Sequence, residues 1–163
     1  PDDTTELPIK RKGKMMEINS RIFGQICIDD SKVLHFVNGI VGFPQLTEFA
    51  LIHDQEKEGG IQWLQSMQEP QFALPVVNPL VIMSEYNPQV EDELLKPLGN
   101  FENDDMLVLV TVTVPSDLTK MSVNLQGPIV INAATKKACQ IIAEGYDVKY
   151  PIYELLKSRK AGE

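Results

Sequence analysis

The side chains of this chain that could do chemistry are two histidines, His35 and His53, two cysteines, Cys27 and Cys139, and a run of carboxylates from Glu85 to Asp117. A hydrolase needs a nucleophile beside a base, a metal cluster, or two carboxylates held in different environments. His35, in Val33-Leu34-His35-Phe36, can be drawn as a base oriented by Asp29 or Asp30, although a strand histidine satisfied by one hydrogen bond accounts for it as well. Cys139 follows Lys136 and Lys137, whose charge could activate a thiol on the same face. Its neighbour Ile141 continues that face, which favours a buried, inert thiol. His53 opens the polar stretch 54–60 and reads as a solvated loop residue. Neither cysteine belongs to a CxxC pair and the histidines are only two, so no metal site and no cofactor site is expected. Signatures of the types GxxxxGK[ST], GxGxxG, HExxH and GxSxG are absent. The expectation is a protein that is not an enzyme, the alternative being a small-ligand-binding or hydrolytic β-barrel that uses His35 and Cys139.

The carboxylates are more informative. Glu85, Glu91, Asp92, Glu93, Glu102, Asp104, Asp105 and Asp117 face a single base, Lys96, in that segment. The chain as a whole has 15 Lys and Arg against 23 Asp and Glu, a formal charge of −8. That sign repels a phosphate backbone and disfavours direct nucleic-acid binding. An acidic face does steer and orient a basic protein partner, and Glu85, Glu91, Asp92, Glu93, Asp104 and Asp105 are the candidates for it. Phe43, Trp63, Phe72 and Tyr86 are the candidates for apolar surface toward a protein partner, although each reads more readily as a core residue.

The elements that must position these residues are mostly short strands. In 163 residues, 43% of them hydrophobic, one domain with a real core is affordable. Residues 1–14 have little apolar content and read as a disordered tail, either a native extension or an expression remnant, leaving 15–163 as the single domain. No run of 18 apolar residues and no secretory leader is legible, so a soluble cytoplasmic protein without membrane contact is expected, and both thiols are expected to be buried.

Strands are expected over 18–23 and 25–28 around Gly24, over 33–36, and over 107–114, where valines at even positions face a core and Leu107, Leu109, Thr111 and Thr113 form a half-covered face. Segments 122–126 and 129–132 read as a hairpin joined at Gly127-Pro128, followed by a strand over 138–143. Prolines 70, 75, 79 and 88 predict an edge strand with bulges through 72–83. One helix is expected after an Asn87 cap with Pro88 at its first position and Val90, Leu94 and Leu98 on one stripe, stopped at Pro97; a second covers 152–157. The fold class that follows is mainly β, a small antiparallel β-barrel or roll with one or two short helices.

Several separated blocks then resemble a known family. They are Phe23-Gly24, Phe36 with Gly39-Ile-Val-Gly42-Phe43, Trp63-Leu-Gln-Ser66, the strand ending at Pro115, and above all Asn124-Leu-Gln-Gly-Pro128-Ile-Val-Ile-Asn132 followed by Gln140-Ile-Ile and Tyr146. Together they resemble the flagellar assembly factor FliW family from about residue 18 to residue 152. The sequence departs from the family at Asn78-Pro79 and Glu85-Tyr86, where the family tends to have Asp-Pro and Asp-Tyr. The resemblance implies a β-barrel-like fold without catalytic activity and a cytoplasmic, chaperone-like role with two protein partners. These are flagellin and the RNA-binding translational repressor CsrA, whose repression of flagellin messenger RNA the family relieves. Which residues meet either partner is not part of what the resemblance implies.

Overall fold

A computed structural model describes residues 15–53, 61–101 and 105–155. The strands among them are, in chain order, β1 (Met15–Ser20), β2 (Gly24–Asp29), β3 (Val33–Phe36), β4 (Glu48–His53), β5 (Gln62–Ser66), β6 (Ala73–Val77), β7 (Met106–Thr113), β8 (Ser122–Val123), β9 (Ile129–Asn132), β10 (Lys137–Gln140) and β11 (Tyr150–Pro151). The chain is mainly β, as expected. Strands β3, β4, β5, β6, β7, β9 and β10 close into a seven-stranded barrel. Each pair around it is antiparallel except β10 with β3, which run parallel with Lys137 opposite His35 and Ala138 opposite Phe36. The β1–β2 hairpin forms its own two-stranded sheet.

Alternation decides what fills the barrel. Leu34 and Phe36, Phe49, Leu64, Val76, Leu109, Ile129 and Ile131, and Ala138 make one buried cluster drawn from every barrel strand. Residues one register position away supply a second cluster outside the barrel, where Val77, Val110 and Val112 pack with Ile82, Tyr86, Val123, Leu125 and Ile152. Strand β7 is therefore covered on both faces at its centre. The face read as half covered carries Leu109 into the barrel interior, while Leu107 at its start is exposed.

Three features differ from the local reading. Segments 122–126 and 129–132 do not pair with each other. Strand β9 takes the first half of β7, Met106 to Leu109, and β8 takes its end, Val112 and Thr113. The Gly127-Pro128 link moves the chain from one half of that long strand to the other. The proline-rich middle is not an edge strand either: β6 lies between β5 and β7. Pro75 is tolerated because pairing to β7 begins only at Val76, so its missing N–H falls outside that ladder. Finally, the helix is a single α turn, α1 (Asp92–Leu95), continued by a 3₁₀ turn over Lys96–Leu98 and closed by Gly99 at φ 89°. Asn87 does not cap it, since the helix starts only at Asp92 with Glu91 at the capping position; the Asn87 backbone N–H donates to the Tyr146 hydroxyl. Leu94 on the anticipated stripe is exposed, and Leu98 with the half-buried Leu95 covers Val130, Cys139 and Ile141 instead. Residues 153–155 are helical, Ile152 before them is not, and positions 156 and 157 of the expected helix lie outside the described residues, as does the 1–14 segment. Cys27 is exposed on β2, against expectation, because the hairpin turns that face to solvent; Cys139 is buried.

Side-chain amides tie these pieces together. Gln65, fully buried, accepts from Ser20 Oγ at 2.7 Å and donates to the carbonyls of Ser66, Pro70 and Phe72, which fastens the hairpin to the barrel. Asn124 Oδ1 accepts from the N–H groups of Gln126 and Gly127, each at 3.0 Å. A Cβ on Gly127 would stand 2.9 Å from Gln140 Nε2, which donates to the Gly127 carbonyl, so a larger residue there would displace that amide. Asn132, also fully buried, donates to the carbonyls of Leu98 and Asn100, both at 2.9 Å, and accepts from Ala134 and Thr135 N–H. The Asn78 departure keeps a cap, with Oδ1 accepting from Leu80 N–H at 2.9 Å.

Two predictions follow from these groups. Asn132→Ala removes four hydrogen bonds, leaving the Leu98 carbonyl only its bond from the Thr135 hydroxyl, and should lower the unfolding free energy in urea by about 2–4 kcal/mol. Tyr86 is 6% exposed and its hydroxyl donates to the Leu125 carbonyl at 2.6 Å. Burial, then the neighbouring Tyr146 phenol, pushes its pKa up to about 12. An unfolded tyrosine titrates near 10, so the native state keeps its proton where the unfolded chain has lost it. Stability should be unaffected below pH 10 and should fall as pH rises from about 10 through 12. Tyr86→Phe should flatten that slope in an alkaline urea series and cost about 1 kcal/mol at neutral pH through the lost hydrogen bond.

Candidate functional site

The residues raised as catalytic are not assembled. His35 is exposed on β3, with Nδ1 4.0 Å from Glu48 Oε2 across the strand pair, and neither Asp29 nor Asp30 is the acid beside it. His53 is exposed at the end of β4. Cys139 packs under α1 with its thiol 3.9 Å from the Leu94 carbonyl, and burial pushes its pKa up, which disfavours the thiolate. Among the described residues no group of three His, Cys, Asp or Glu is placed to hold a metal ion, and no helix is long and apolar enough to cross a membrane.

The acidic candidates separate into a surface and outliers. Glu91, Asp92 and Glu93 are all exposed, with Asp92 and Glu93 in the first turn of α1, where the helix dipole favours negative charge. The Glu93–Lys96 pair, at 3.3 Å, is exposed on both sides and neutralises little of that field. Glu85 is exposed ahead of them and accepts from Ser84 Oγ. Asp105 is half buried, with its backbone carbonyl accepting from Ala133 N–H at 2.8 Å. Asp104 lies outside the described residues. Asn132 fixes this region: it binds the carbonyls that end the 3₁₀ turn after α1, and its own turn bonds Asp105.

Of the apolar candidates, Phe43 offers surface. It is 41% exposed and packs edge to face on Phe72 at 4.7 Å, while Phe72 leans on the barrel cluster. Trp63 is half buried against Phe23 at 6.2 Å, with its Nε1 shut off from solvent and without an acceptor among the described residues. Tyr86 is core and offers a partner nothing: its ring packs on Tyr146 at 4.6 Å and its hydroxyl is already used. Sequence reasoning missed the company Phe43 keeps. Val41 is 62% exposed in the same loop, its N–H held by Gln140 Oε1 at 2.9 Å. The loop reverses tightly at Gly39, where a Cβ would lie 2.5 Å from the Pro44 carbonyl oxygen. Val37 and Ile142 are also exposed, at the ends of β3 and β10. The signal was an apolar residue between Gly39 and Gly42, where turn geometry alone does not ask for one.

Also missed was an open cavity of about 250 Å³ at one barrel mouth, lined by Leu34, Leu51, Leu107 and Ile131 with Lys32, Ala133 and Lys136. These positions come from β3, β4, β7, β9 and two turns, and no local pattern links them.

Known proteins bear on this geometry. The family model described as FliW protein matches residues 17–154. A flagellar assembly factor FliW of Lachnoclostridium phytofermentans is 43% identical over 152 residues, covering 91% of this chain and 97% of the relative. Another, of Lachnospira eligens, is 42% identical over 150 residues, covering 89% and 99%. The crystal structure of a flagellar assembly factor FliW aligns with a TM-score of 0.73 at 27% identity, over 83% of this chain and 94% of that one. With the family model spanning the hairpin and the whole barrel, and relatives above 40% identity along nearly their full lengths, this chain belongs to the FliW family of flagellar assembly factors.

Proposed function

We propose that this protein acts in the cytoplasm as a non-catalytic, chaperone-like regulator that binds flagellin and the translational repressor CsrA, and that by binding CsrA it relieves repression of flagellin messenger RNA. The supporting observation is the exposed acidic face of Glu85, Glu91, Asp92 and Glu93 on a chain of net charge −8. An RNA-binding repressor must present basic surface to phosphates, and that surface is attracted to such a face. Once docked, the acidic domain places like charge beside incoming RNA. Its field extends over roughly a Debye length, about 10 Å at 0.1 M salt, so it weakens RNA binding without having to cover the RNA site. Flagellin, with amphipathic terminal helices, requires apolar surface instead, and the exposed Phe43 is the candidate above best placed to provide it.

Titration calorimetry of the protein against purified CsrA should show saturable binding that prior loading with flagellin abolishes. Replacing Glu91, Asp92 and Glu93 together by Lys should weaken CsrA binding on the order of tenfold at low salt, mainly through slower association, with the gap to wild type closing as salt rises. All three are exposed, so the circular dichroism spectrum should be retained. An unchanged affinity in the folded triple variant would remove these residues from the interface, and no heat with either partner would overturn the functional reading itself.

A further inference from the structure

The cavity at the barrel mouth stands apart from the acidic face in both shape and charge. Its wall is aliphatic: Leu34 and Ile131 belong to the barrel-filling cluster, Leu51 packs against it, and Leu107 is 41% exposed at the lip. Its two cations come from turns that fix them. Lys32 ends a 3₁₀ turn (Asp30–Lys32) capped by Asp29, whose carboxylate accepts from Ser31 N–H at 3.0 Å. Lys136 sits in the turn between β9 and β10, with Nζ donating to the Ala133 carbonyl at 2.5 Å, which holds the ammonium at the rim with protons to spare. Neither lysine forms an ion pair with an acid among the described residues. Three of the seven Lys and Arg residues described, Lys32, Lys136 and Lys137, fall at this one end of an acidic protein.

Lys136 adds a second observation. Its φ of 63° is the only positive value at a non-glycine residue among those described. Side chains other than Asn and Asp seldom adopt that region, and Gly or Asn would close the same turn with less strain. Strain retained at a cation lining a cavity points to a use for the cation.

We propose that this mouth is a docking pocket for a short segment of a partner protein that presents an aliphatic side chain next to a carboxylate. The aliphatic group fills the space between Leu34, Leu51, Leu107 and Ile131, and the carboxylate meets Lys32 and Lys136. Size selects a protein segment over a small molecule: pockets that enclose a drug-sized ligand run to about 300–1,000 Å³, whereas this one is smaller and open, suited to a side chain entering from outside. The proposal rests on the mouth alone, and it stands or falls separately from the acidic face.

The test is an amide NMR titration of the full chain with two acetylated, amidated tetrapeptides, Glu-Leu-Leu-Glu and Lys-Leu-Leu-Lys, at up to several millimolar. The expected result is saturable shifts at residues 32–34, 107 and 131–136 with the acidic peptide only, weakened at least fivefold by Lys136→Asn and abolished by Lys32→Glu combined with Leu107→Glu. Lys136→Asn should melt no lower than wild type, since Asn accepts the turn, so a loss of binding there cannot be ascribed to unfolding. Equal response to both peptides, shifts elsewhere, or no shifts would overturn the proposal. So would mouth shifts produced by octanoate but not by peptide, which would assign the site to a free aliphatic acid. Mouth shifts caused by deleting residues 1–14 would assign it to the chain's own terminus.

Discussion

A closed ring of seven strands cannot alternate direction all the way round, and this parity governs the molecule. One neighbouring pair must be parallel, and here it is β3 with β10, strands about a hundred residues apart in the chain. Few ladder bonds serve that seam: His35 N–H donates to the Lys136 carbonyl at 2.8 Å and Val37 N–H to the Ala138 carbonyl at 3.0 Å. The Gln140 side chain extends the closure beyond the strands, with one end on Val41 N–H and the other on the Gly127 carbonyl. The Asn124-Leu-Gln-Gly-Pro128 block is thereby explained. Asn124 folds the link that carries the chain along β7, and Gly127 leaves room for the amide that seals the barrel.

Surfaces that can meet partners hang from this closed frame on side-chain hydrogen bonds. Asn132 stands at the end of β9 and joins the turn carrying Lys136 to the segment following the acidic α1. Gln140 positions the loop that exposes Val41 and Phe43. A buried amide with every group satisfied is rigid, because freeing any one group strands its partner in a low-dielectric interior. Among the described residues, the cluster that fills the barrel consists of aliphatic and phenylalanine side chains.

How much could be read from the chain depended on the range of the interaction. The alternation in 107–114 reveals β7 and the Asn132 turn reveals β9 and β10, because each signal is local; the sequence around Gly24 reveals two strands but misplaces their turn, which falls at 21–23 with Gly24 already in β2. The partners of β7 were not legible, since three strands share its edges and adjacency in sequence suggested a hairpin that the barrel does not use. Pro75 misled for the same reason: whether a missing N–H matters depends on a neighbour the local sequence does not name. The exposure of Glu91, Asp92 and Glu93 was legible because consecutive acids on a short turn stay at the surface. Tyr86 was not, because its burial depends on Leu125 and Tyr146, 39 and 60 positions away. The mouth, assembled from positions 32 to 136, had no local signature at all.

The two charged surfaces differ in what each can contribute. An exposed ion pair contributes roughly 0–1 kcal/mol to a complex in salt, so the acidic face proposed above would act chiefly through association rate and through repulsion of other anions. Burying one leucine-sized side chain is worth about 1.5–3 kcal/mol, and an apolar mouth therefore contributes residence time that a charged face cannot. The rim lysines then decide which aliphatic segments enter, since a segment carrying its own cation meets like charge at the lip. The turn that carries Lys136 and the segment after α1 are held together by Asn132 and by the Thr135 hydroxyl, which donates to the same Leu98 carbonyl.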